Sequence, residues 1–500
     1  MNRYLAKAIQ SAVKPQTIER LSEFQALHTF HRAAARVPAY RDLLQQLRVP
    51  VHRVWSIREF RHHVPLIDKQ SYFRLYPLEM LCLDGRFDRK YTLERSSGYS
   101  GTPYFWLREP AEDKHLEDHV EFMFRDMFQA HRVPMLVVVT WSQGSWVTGE
   151  KFARTIRNLA SRGKLKLTVV SPGLAMEEIQ EILDTFMARF PQTLITGYPP
   201  FLKDIIDQAA RRGIRWPDHR VHLISGGEGF PENWREYMAT ALGIRTINAR
   251  HSGQIISCYG SADSGIGSGG ETPFALLVRR LAAADRRLCA QLFGTAAPPS
   301  VFQYEPGRLW VESVDGELVL TYRSAMPLVR YNIHDRGSVL PFLRVCEVLK
   351  DHGYDPRRLL RSLGWRDSEL YPIPFFCVHG RSDGTSTLYG VNIHTEDIQE
   401  ALSDAQMVAL HTGEFRVHTV FDQNAEQYLQ IDLRLNAATE PSPAVARRIE
   451  DHLVRILRTR NSEYRHLHEC RGTRVVPRVR LTHEPMPKGG GSNGFKNRYR

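Results

Sequence analysis

Four segments of this 500-residue chain combine glycines with hydroxyl, aromatic or charged side chains. The first is SSGYSGTP at residues 96–103. Its glycines permit a tight loop in which backbone N–H groups and hydroxyls converge on phosphate oxygens. Taken alone, the segment is more typical of a surface Ser/Gly turn. It is a candidate phosphate-binding loop.

The second and third segments each follow an apolar run. SGGEG at 225–229 comes at the end of VHLIS, where glycines let a flat ligand lie against the backbone of an open α/β sheet. YGSAD at 259–263 offers the aromatic face of Tyr259, which can stack on a base, and the carboxylate of Asp263, which can hold Mg²⁺. As isolated motifs, both are more typical of turns than of binding sites.

The fourth segment pairs PLVRYNIHD at 327–335 with GRSD at 380–383. A carboxylate at a strand end, here Asp335, is suited to accept both hydroxyls of a ribose. Arg381 can bridge the ribose and a phosphate. The alternative is a structural salt bridge between Asp335 and Arg381.

The elements around these segments alternate between strands and helices. Helices are predicted at 149–161 and 175–189, and β-branched apolar runs predict the strands between them, which indicates a largely parallel α/β sheet. After Gly307, RLWVES and GELVLTY read as antiparallel strands across an Asp315-Gly316 turn. The predicted strands of the α/β part are 136–140, 167–171, 194–196, 221–225 and 245–248.

The two ends of the chain differ from this middle part. Residues 16–47 predict a helix broken at Val37-Pro38, and Asp68 is placed to cap a following helix. From near Gly380 the pattern suits a small α+β region. Its predicted helices are 395–403 and 443–458, and its predicted strands are FRVHTVF and LQIDLRL.

Composition limits the class of protein. The net charge is +12, which favours anionic partners such as nucleic acid, acidic membrane, nucleotides or CoA. The excess arginines are scattered and not interleaved with aromatics, so a generally basic surface is favoured over a nucleic-acid function. No apolar run is long enough for a membrane span and no secretory signal is apparent, so we expect a cytoplasmic protein. The six cysteines include no CxxC pair. His466, His468 and Cys470 would share a face on a strand, which is a weak indication of metal binding.

Taken together and in order, the motifs resemble the adenylate-forming (acyl-CoA synthetase, AMP-binding) superfamily, most closely its phenylacetate–CoA ligase branch. SSGYSGTP is similar to the SSGTTGxP phosphate loop, and YGSAD occupies the place of YGxTE. VPAYRDLL, VPLIDKQSYFRLYP, GELVLTYRSAMPLVRYNIHD and GRSDGTSTLYGVNIHTEDI are similar to further motifs of that branch. The resemblance spans nearly the whole chain.

The resemblance implies the fold and the site residues. The fold would be a large α/β N-terminal domain with mixed sheets and helices, residues 1–380 with a helical part at about 1–90. A small mobile α+β lid would follow at 381–500, with its hinge near Asp383. Asp263 would hold Mg²⁺, and the late catalytic lysine would be Lys496 or Lys488. The implied nucleotide-binding residues are Ser96, Ser97, Gly98, Ser100, Gly101, Thr102, Gly226, Gly227, Glu228, Tyr259, Gly260, Ser261, Asp335 and Arg381.

The implied activity is ATP- and Mg²⁺-dependent activation of a small carboxylic acid as its acyl-adenylate. The acyl acceptor would be the thiol of CoA, an amine or a carrier protein, and a homodimer is compatible with the sequence. Ala262 replaces the usual Thr and Asp263 the usual Glu, which also leaves open a catalytically weak ATP-binding regulatory protein. Trp141 and Trp146 would either shape the acid pocket or belong to the core.

Overall fold

The computed structural model describes residues 14–88, 90–95, 104–143, 147–382, 384–404 and 406–485. It begins with three helices, α1 (Pro15–Arg36), α2 (Pro38–Gln46) and α3 (Ile57–His63). Pro38 is the first residue of α2, where its fixed φ suits a helix and its missing N–H costs nothing, so the break predicted at Val37-Pro38 is confirmed.

Asp68 starts a short helical turn at Lys69–Phe73, as the sequence predicts. Its Oδ1 accepts the backbone N–H of Ser71 at 2.6 Å, and the hydroxyl of Ser71 lies 2.9 Å from the Asp68 nitrogen. This reciprocal capping box fixes the direction in which the chain leaves Asp68. The turn therefore has a defined start, and its first residue, Lys69, has a defined position.

An α/β part follows, in which strands alternate with helices as predicted. The strands β3 to β7 are parallel neighbours in the spatial order β4-β3-β5-β6-β7. In chain order the elements are β1 (Thr92–Arg95), β2 (Phe105–Arg108), α4 (Pro110–Asp126), β3 (Met135–Val139), α5 (Val147–Ser161), β4 (Leu167–Val170), α6 (Met176–Phe186), β5 (Thr193–Gly197), α7 (Pro199–Arg211), β6 (Val221–Ser225), α8 (Glu232–Ala241) and β7 (Ile255–Ser261).

The sheet continues beyond β7 with antiparallel strands, so that eleven strands of the described chain form one mixed sheet. Asp315 and Gly316 both have positive φ, 52° and 80°, which is the backbone that the predicted two-residue hairpin requires. The further elements are β8 (Gly265–Gly270), α9 (Pro273–Ala284), α10 (Arg286–Phe293), β9 (Ser300–Gln303), β10 (Leu309–Val314), β11 (Glu317–Tyr322), β12 (Leu328–Leu340), α11 (Phe342–Asp351), α12 (Pro356–Ser362) and β13 (Phe375–Arg381).

The C-terminal region has its own sheet and core, in agreement with the predicted small α+β region. β16 pairs antiparallel with β17, which pairs parallel with β18, and Ile398, Leu453 and Tyr464 are among the residues buried beneath them. Its elements are β14 (Ser386–Leu388), β15 (Val391–Ile393), α13 (Thr395–Leu402), β16 (His411–Phe421), β17 (Gln427–Leu435), α14 (Pro443–Arg460), α15 (Ser462–Arg471) and β18 (Arg478–Thr482).

One predicted strand is absent, and one conditional pattern does not apply. Residues 245–248 form turns and not a strand, because Asn248 has a φ of 67° and its amide donates to the Pro273 carbonyl. His466, His468 and Cys470 lie on helix α15 and not on a strand, so only His466 and Cys470 share a face, 3.8 Å apart. No group of three potential metal ligands (His, Cys, Asp, Glu) occurs in the described residues.

None of the helices in the described ranges is both long and apolar enough to cross a membrane.

A buried ion cluster supports the start of β7, the strand that carries YGSAD. Arg235 of α8 has no exposed side-chain surface, pairs with Glu232 and Glu271, and donates to the carbonyl of Ile255. Glu271 in turn accepts the backbone N–H of Ser257 at 2.7 Å. The cluster thus ties a helix to the backbone of β7.

We expect Arg235→Met to lower the free energy of unfolding by about 3 kcal/mol or more, because it leaves buried carboxylates without part of their countercharge. Arg212→Met is the matched control, since Arg212 and its partner Asp184 are both exposed, and should cost less than about 1 kcal/mol. Urea denaturation followed by tryptophan fluorescence measures both. Equal losses in the two variants would contradict the supporting role of the cluster.

Candidate functional site

The glycine segment after β6 lies against aromatic side chains at the carboxyl ends of the parallel strands. Gly227 has a φ of 89°, and a Cβ there would lie 2.7 Å from the ring of Tyr198. A Cβ on Gly226 would lie 3.4 Å from the ring of Trp141. The rings of Tyr198 and Trp141 therefore lie close to the backbone at 226–227. A residue with a Cβ at position 227 would clash with the Tyr198 ring and would also be strained by the positive φ.

Tyr259, Asp335 and Arg381 are in direct contact. The hydroxyl of Tyr259 donates to Asp335 Oδ2, and Arg381 Nη1 donates to Asp335 Oδ1 at 3.1 Å. Sheet register produces this contact, because Asp335 of β12 is the direct partner of Arg381 on β13. The Tyr259 ring packs against Phe302 and Phe376, with centroids 5.7 and 5.1 Å away. The three side chains form one cluster, and their roles toward a nucleotide stay predictions.

The rest of YGSAD is a tight turn between β7 and β8. A Cβ on Gly260 would lie 2.7 Å from Ile266 Cα, and the Ser261 hydroxyl lies 3.0 Å from that of Ser264. Arg108 stabilises the turn, because its Nη2 donates to the carbonyls of Ala262 and Asp263. Arg108 is buried and also pairs with Glu94 of β1 at 2.8 Å. The root of the β1–β2 hairpin is thereby bonded to the backbone beside Asp263.

Asp263 is buried, with 7% of the residue exposed, and both oxygens of its carboxylate have partners. Lys69 Nζ lies 3.1 Å from Oδ1, and the hydroxyl of Tyr331 donates to Oδ2. Burial alone would raise the pKa of Asp263, but the positive charge of Lys69 and the Tyr331 hydrogen bond outweigh it, so the pKa lies below its usual value. Asp263 is therefore ionised at neutral pH.

These contacts do not fit a Mg²⁺ ion held by Asp263. Mg²⁺ needs oxygen ligands at about 2.0–2.1 Å, whereas an ammonium already occupies one side of this carboxylate. The nearby Asp335 is engaged by Tyr259 and Arg381, and Asp68 lies 3.1 Å from His334. No step of the chemistry is therefore assigned to a metal bound by this chain.

Sequence reasoning missed Lys69 as a residue of the site. The capping signal at Asp68 indicated where the turn starts, but the contact with Asp263 joins segments far apart in the chain. The available signals were its position directly after a capping residue and its place in the motif VPLIDKQSYFRLYP, and neither named a partner. Arg108 was missed for the same reason.

Several predicted residues lie outside the described ranges. They are Ser96, Ser97, Gly98, Ser100, Gly101 and Thr102 of the phosphate loop, Asp383, Lys488 and Lys496. The strands on either side of the loop are described, and Arg95 of β1 pairs with Phe105 of β2. The loop segment thus joins two paired strands.

The two tryptophans proposed for the acid pocket have separate outcomes. Trp141 is 2% exposed and packs edge-on against Phe152 at 5.2 Å, so it belongs to the core beneath Gly226. Trp146 lies outside the described ranges. Tyr198, which follows β5, is the side chain that a Cβ on Gly227 would meet.

Glu228 connects the glycine segment to the C-terminal region. Its Oε2 accepts a hydrogen bond from Gln427 Nε2 at 2.7 Å, and a Cβ on Gly390 would lie 2.4 Å from the Tyr198 ring, so two contacts join the regions here. Burial raises the pKa of Glu228 to about 8, and the Gln427 hydrogen bond offsets only part of that rise. Glu228 is therefore largely protonated at neutral pH in this conformation.

We expect Glu228→Gln to remove a pH dependence of stability. The unfolded chain ionises Glu228 from its ordinary pKa of 4.5, while the folded chain keeps the proton up to about pH 8. The contribution of Glu228 is therefore fully present below pH 4.5 and declines as pH rises toward 8, by up to about 1.4 kcal/mol per pH unit. Melting temperatures of both proteins between pH 5 and 8 measure it.

Between pH 5 and 8, the melting temperature of the Glu228→Gln protein should rise relative to that of the natural protein as pH rises. Glu236→Gln, which changes an exposed glutamate of the nearby helix α8, serves as the control and should leave the pH profile unchanged. Parallel profiles for the Glu228→Gln variant and the natural protein would show that Glu228 is not buried as described.

Comparison with known proteins gives a similarity in fold. No protein-family model and no curated protein matches the sequence. Among solved structures, the chain is similar to 2-hydroxyisobutyryl-CoA ligase in complex with 2-HIB-AMP and CoA in the thioesterification state, with a TM-score of 0.62 and 15% identity over 97% of this chain and 91% of that one. An open conformation of the same ligase gives a TM-score of 0.52 and 15% identity over 96% and 90%. The chain therefore has the fold of this adenylate-forming ligase.

Proposed function

We propose that this protein is an AMP-forming ligase that uses ATP to activate a carboxylic acid as its acyl-adenylate. The observation that carries the proposal is the cluster of Tyr259, Asp335 and Arg381 beside the carboxyl ends of the parallel strands. Ligands of open α/β sheets bind at that edge. The similar ligase was crystallised with an acyl-adenylate, 2-HIB-AMP, which supports the same use of this fold here.

The cluster can hold the nucleoside of ATP. A carboxylate has about four acceptor positions, so Asp335 can accept ribose hydroxyls in addition to its bonds with Tyr259 and Arg381. Arg381 can reach from the ribose to a phosphate with its fork of N–H donors. The Tyr259 ring offers a face for the base, and the backbone at Gly226, Gly227 and Glu228 lines the same edge.

The reaction follows from where charge develops. An oxygen of the acid carboxylate forms a bond to the α-phosphorus, the bond between that phosphorus and the β-phosphate oxygen breaks, and pyrophosphate leaves. Donors and cations fixed around the phosphates lower the barrier. We assign this role to the loop at 96–102 and to Lys496, with Lys488 as the alternative. Any divalent ion arrives with ATP as part of that substrate.

The acyl group then passes to an acceptor, for which we propose the thiol of CoA. The acceptor loses its proton, its sulfur bonds to the acyl carbon, and AMP leaves with the electrons of the broken carbon–oxygen bond. The similar ligase binds CoA, which supports this choice. An amine or a carrier-protein thiol is the alternative acceptor, and the phenylacetate–CoA ligase-like branch remains our proposal for the closest relatives.

The first test is carboxylic-acid-dependent exchange of labelled pyrophosphate into ATP, over aryl, arylacetic and fatty acids. We expect at least one acid to support exchange and Lys496→Ala to reduce it by about 100-fold or more, because a lysine contacting the reacting phosphate is lost. Lys488→Ala is measured in parallel, because Lys488 is the alternative assignment for the catalytic lysine. Full exchange in the Lys496→Ala protein would remove that assignment. Confirmed ATP binding with no exchange for any acid would favour a catalytically weak regulatory protein.

A second test concerns Asp335 alone. We expect Asp335→Ala to raise the dissociation constant of ATP at least about tenfold, because each hydrogen bond to a charged group contributes about 1.5–3 kcal/mol. Isothermal titration calorimetry measures it. Asp351→Ala, at the end of helix α11, is the control. An unchanged ATP affinity in the Asp335→Ala protein would show that the carboxylate does not bind the ribose.

A further inference from the structure

Lys69 reaches Asp263 from a segment that is bonded along strand β12. The backbone N–H of Ile67 donates to the Arg330 carbonyl at 3.1 Å, and the N–H of Asn332 donates to the Ile67 carbonyl at 2.8 Å. These bonds place residues 67–69 beside the strand that carries Tyr331 and Asp335. Lys69 is thus held by backbone as well as by side-chain contacts.

A second polar contact fixes the residue before Lys69. Asp68 Oδ2 lies 3.1 Å from His334 Nε2, while Asp68 Oδ1 caps the helical turn. The turn that begins at Lys69 therefore cannot rotate without breaking a capping bond and the contact between Asp68 and His334. The Lys69 ammonium is only 5.9 Å from the ring centroid of Trp106, a residue of β2 close to the end of the phosphate-loop segment. The lysine is directed into the site and not into solvent.

Asp263 is held equally firmly from its other side. Its carboxylate contacts the Lys69 ammonium and the Tyr331 hydroxyl, and its carbonyl accepts from Arg108. The side chains of Tyr331 and Arg108 are fully buried. A metal ion bound at Oδ1 would have to displace Lys69, and the described residues offer no third acidic or imidazole ligand near it.

We propose that Lys69 is the resident cation of this site and that Asp263 serves to hold Lys69 in place of a divalent metal. The inference deepens the proposed function, on which it rests for the meaning of the site. It makes Asp263 a positioning residue whose partner is an ammonium at the edge beside the phosphate-loop strands. The proposal also accounts for the aspartate at position 263 in place of the usual glutamate. The long side chain of Lys69 spans the distance to the shorter carboxylate.

Mn²⁺ titration of the full chain without nucleotide, followed by electron paramagnetic resonance, tests the metal side of the proposal. We expect the natural protein and Asp263→Asn to give the same titration, because Asp263 is not a metal ligand. Tenfold tighter Mn²⁺ binding by the natural protein would overturn the proposal. Neither ATP nor acid is present, so this result does not depend on the proposed activity.

A double-mutant cycle on melting temperature tests the pair itself. Lys69→Met and Asp263→Asn should each lower the melting temperature, and the double variant should lose clearly less than the sum of the two, because the second change removes a charge that the first left unpaired. Lys69→Arg, which keeps the charge, should lie closer to the natural protein than Lys69→Met. Additive losses would overturn the proposal.

A third measurement asks whether nucleotide brings a metal to Asp263. The gain in ATP affinity on adding Mg²⁺ over EDTA should be the same, within about twofold, in the natural protein and in Asp263→Asn. A gain that disappears in the variant would overturn the proposal. Absence of ATP binding in both proteins would instead count against the proposed function and leave the other two measurements to decide the role of Lys69.

Discussion

A carboxylate stays ionised inside a protein only when cations or hydrogen-bond donors accompany it, and this constraint organises the candidate site. Asp263 has Lys69 and Tyr331, Asp335 has Arg381 and Tyr259, and each set joins segments far apart in the chain. Glu228 has uncharged donors, the side-chain amide of Gln427 and the backbone N–H of Gly390, and burial accordingly raises its pKa. The countercharges thus decide which acidic groups of the site carry charge.

The same constraint couples the phosphate-loop strands to the sheet. Glu94 of β1 is buried against Arg108 and Lys151, and Arg108 also donates to the carbonyls at 262 and 263. A buried guanidinium has five N–H donors in a rigid fork, so one residue can satisfy a carboxylate and two carbonyls together. The hairpin root and the backbone of Asp263 therefore form one unit, and displacement of either would leave buried charge without a partner.

Local sequence signals predicted most of the helices, strands and turns, but they could not predict contacts between distant segments. The cap at Asp68, the Asp315-Gly316 hairpin and the β-branched run that became β3 all depend on a few neighbouring residues, and all were confirmed. The strand predicted at 245–248 failed because the positive φ of Asn248 depends on contacts such as its bond to Pro273. The contact of Tyr259 with Asp335 requires the strand order of the finished sheet. The partner of Lys69 could not be predicted for the same reason.

Polar contacts join the C-terminal region to the rest of the chain, although Ala425 is also buried in the apolar cluster around β5 and β6. Asp204 of α7 pairs with Arg471 and Arg474, and Lys203 pairs with Glu426. Charged partners can be rehydrated when they separate, whereas an apolar core of the same size would lose the hydrophobic contribution of its buried area. The Glu228–Gln427 bond fits this description too, because a glutamate released into water ionises and gains hydration. Separation of these charged pairs is therefore opposed less strongly than separation of an apolar contact of the same area would be.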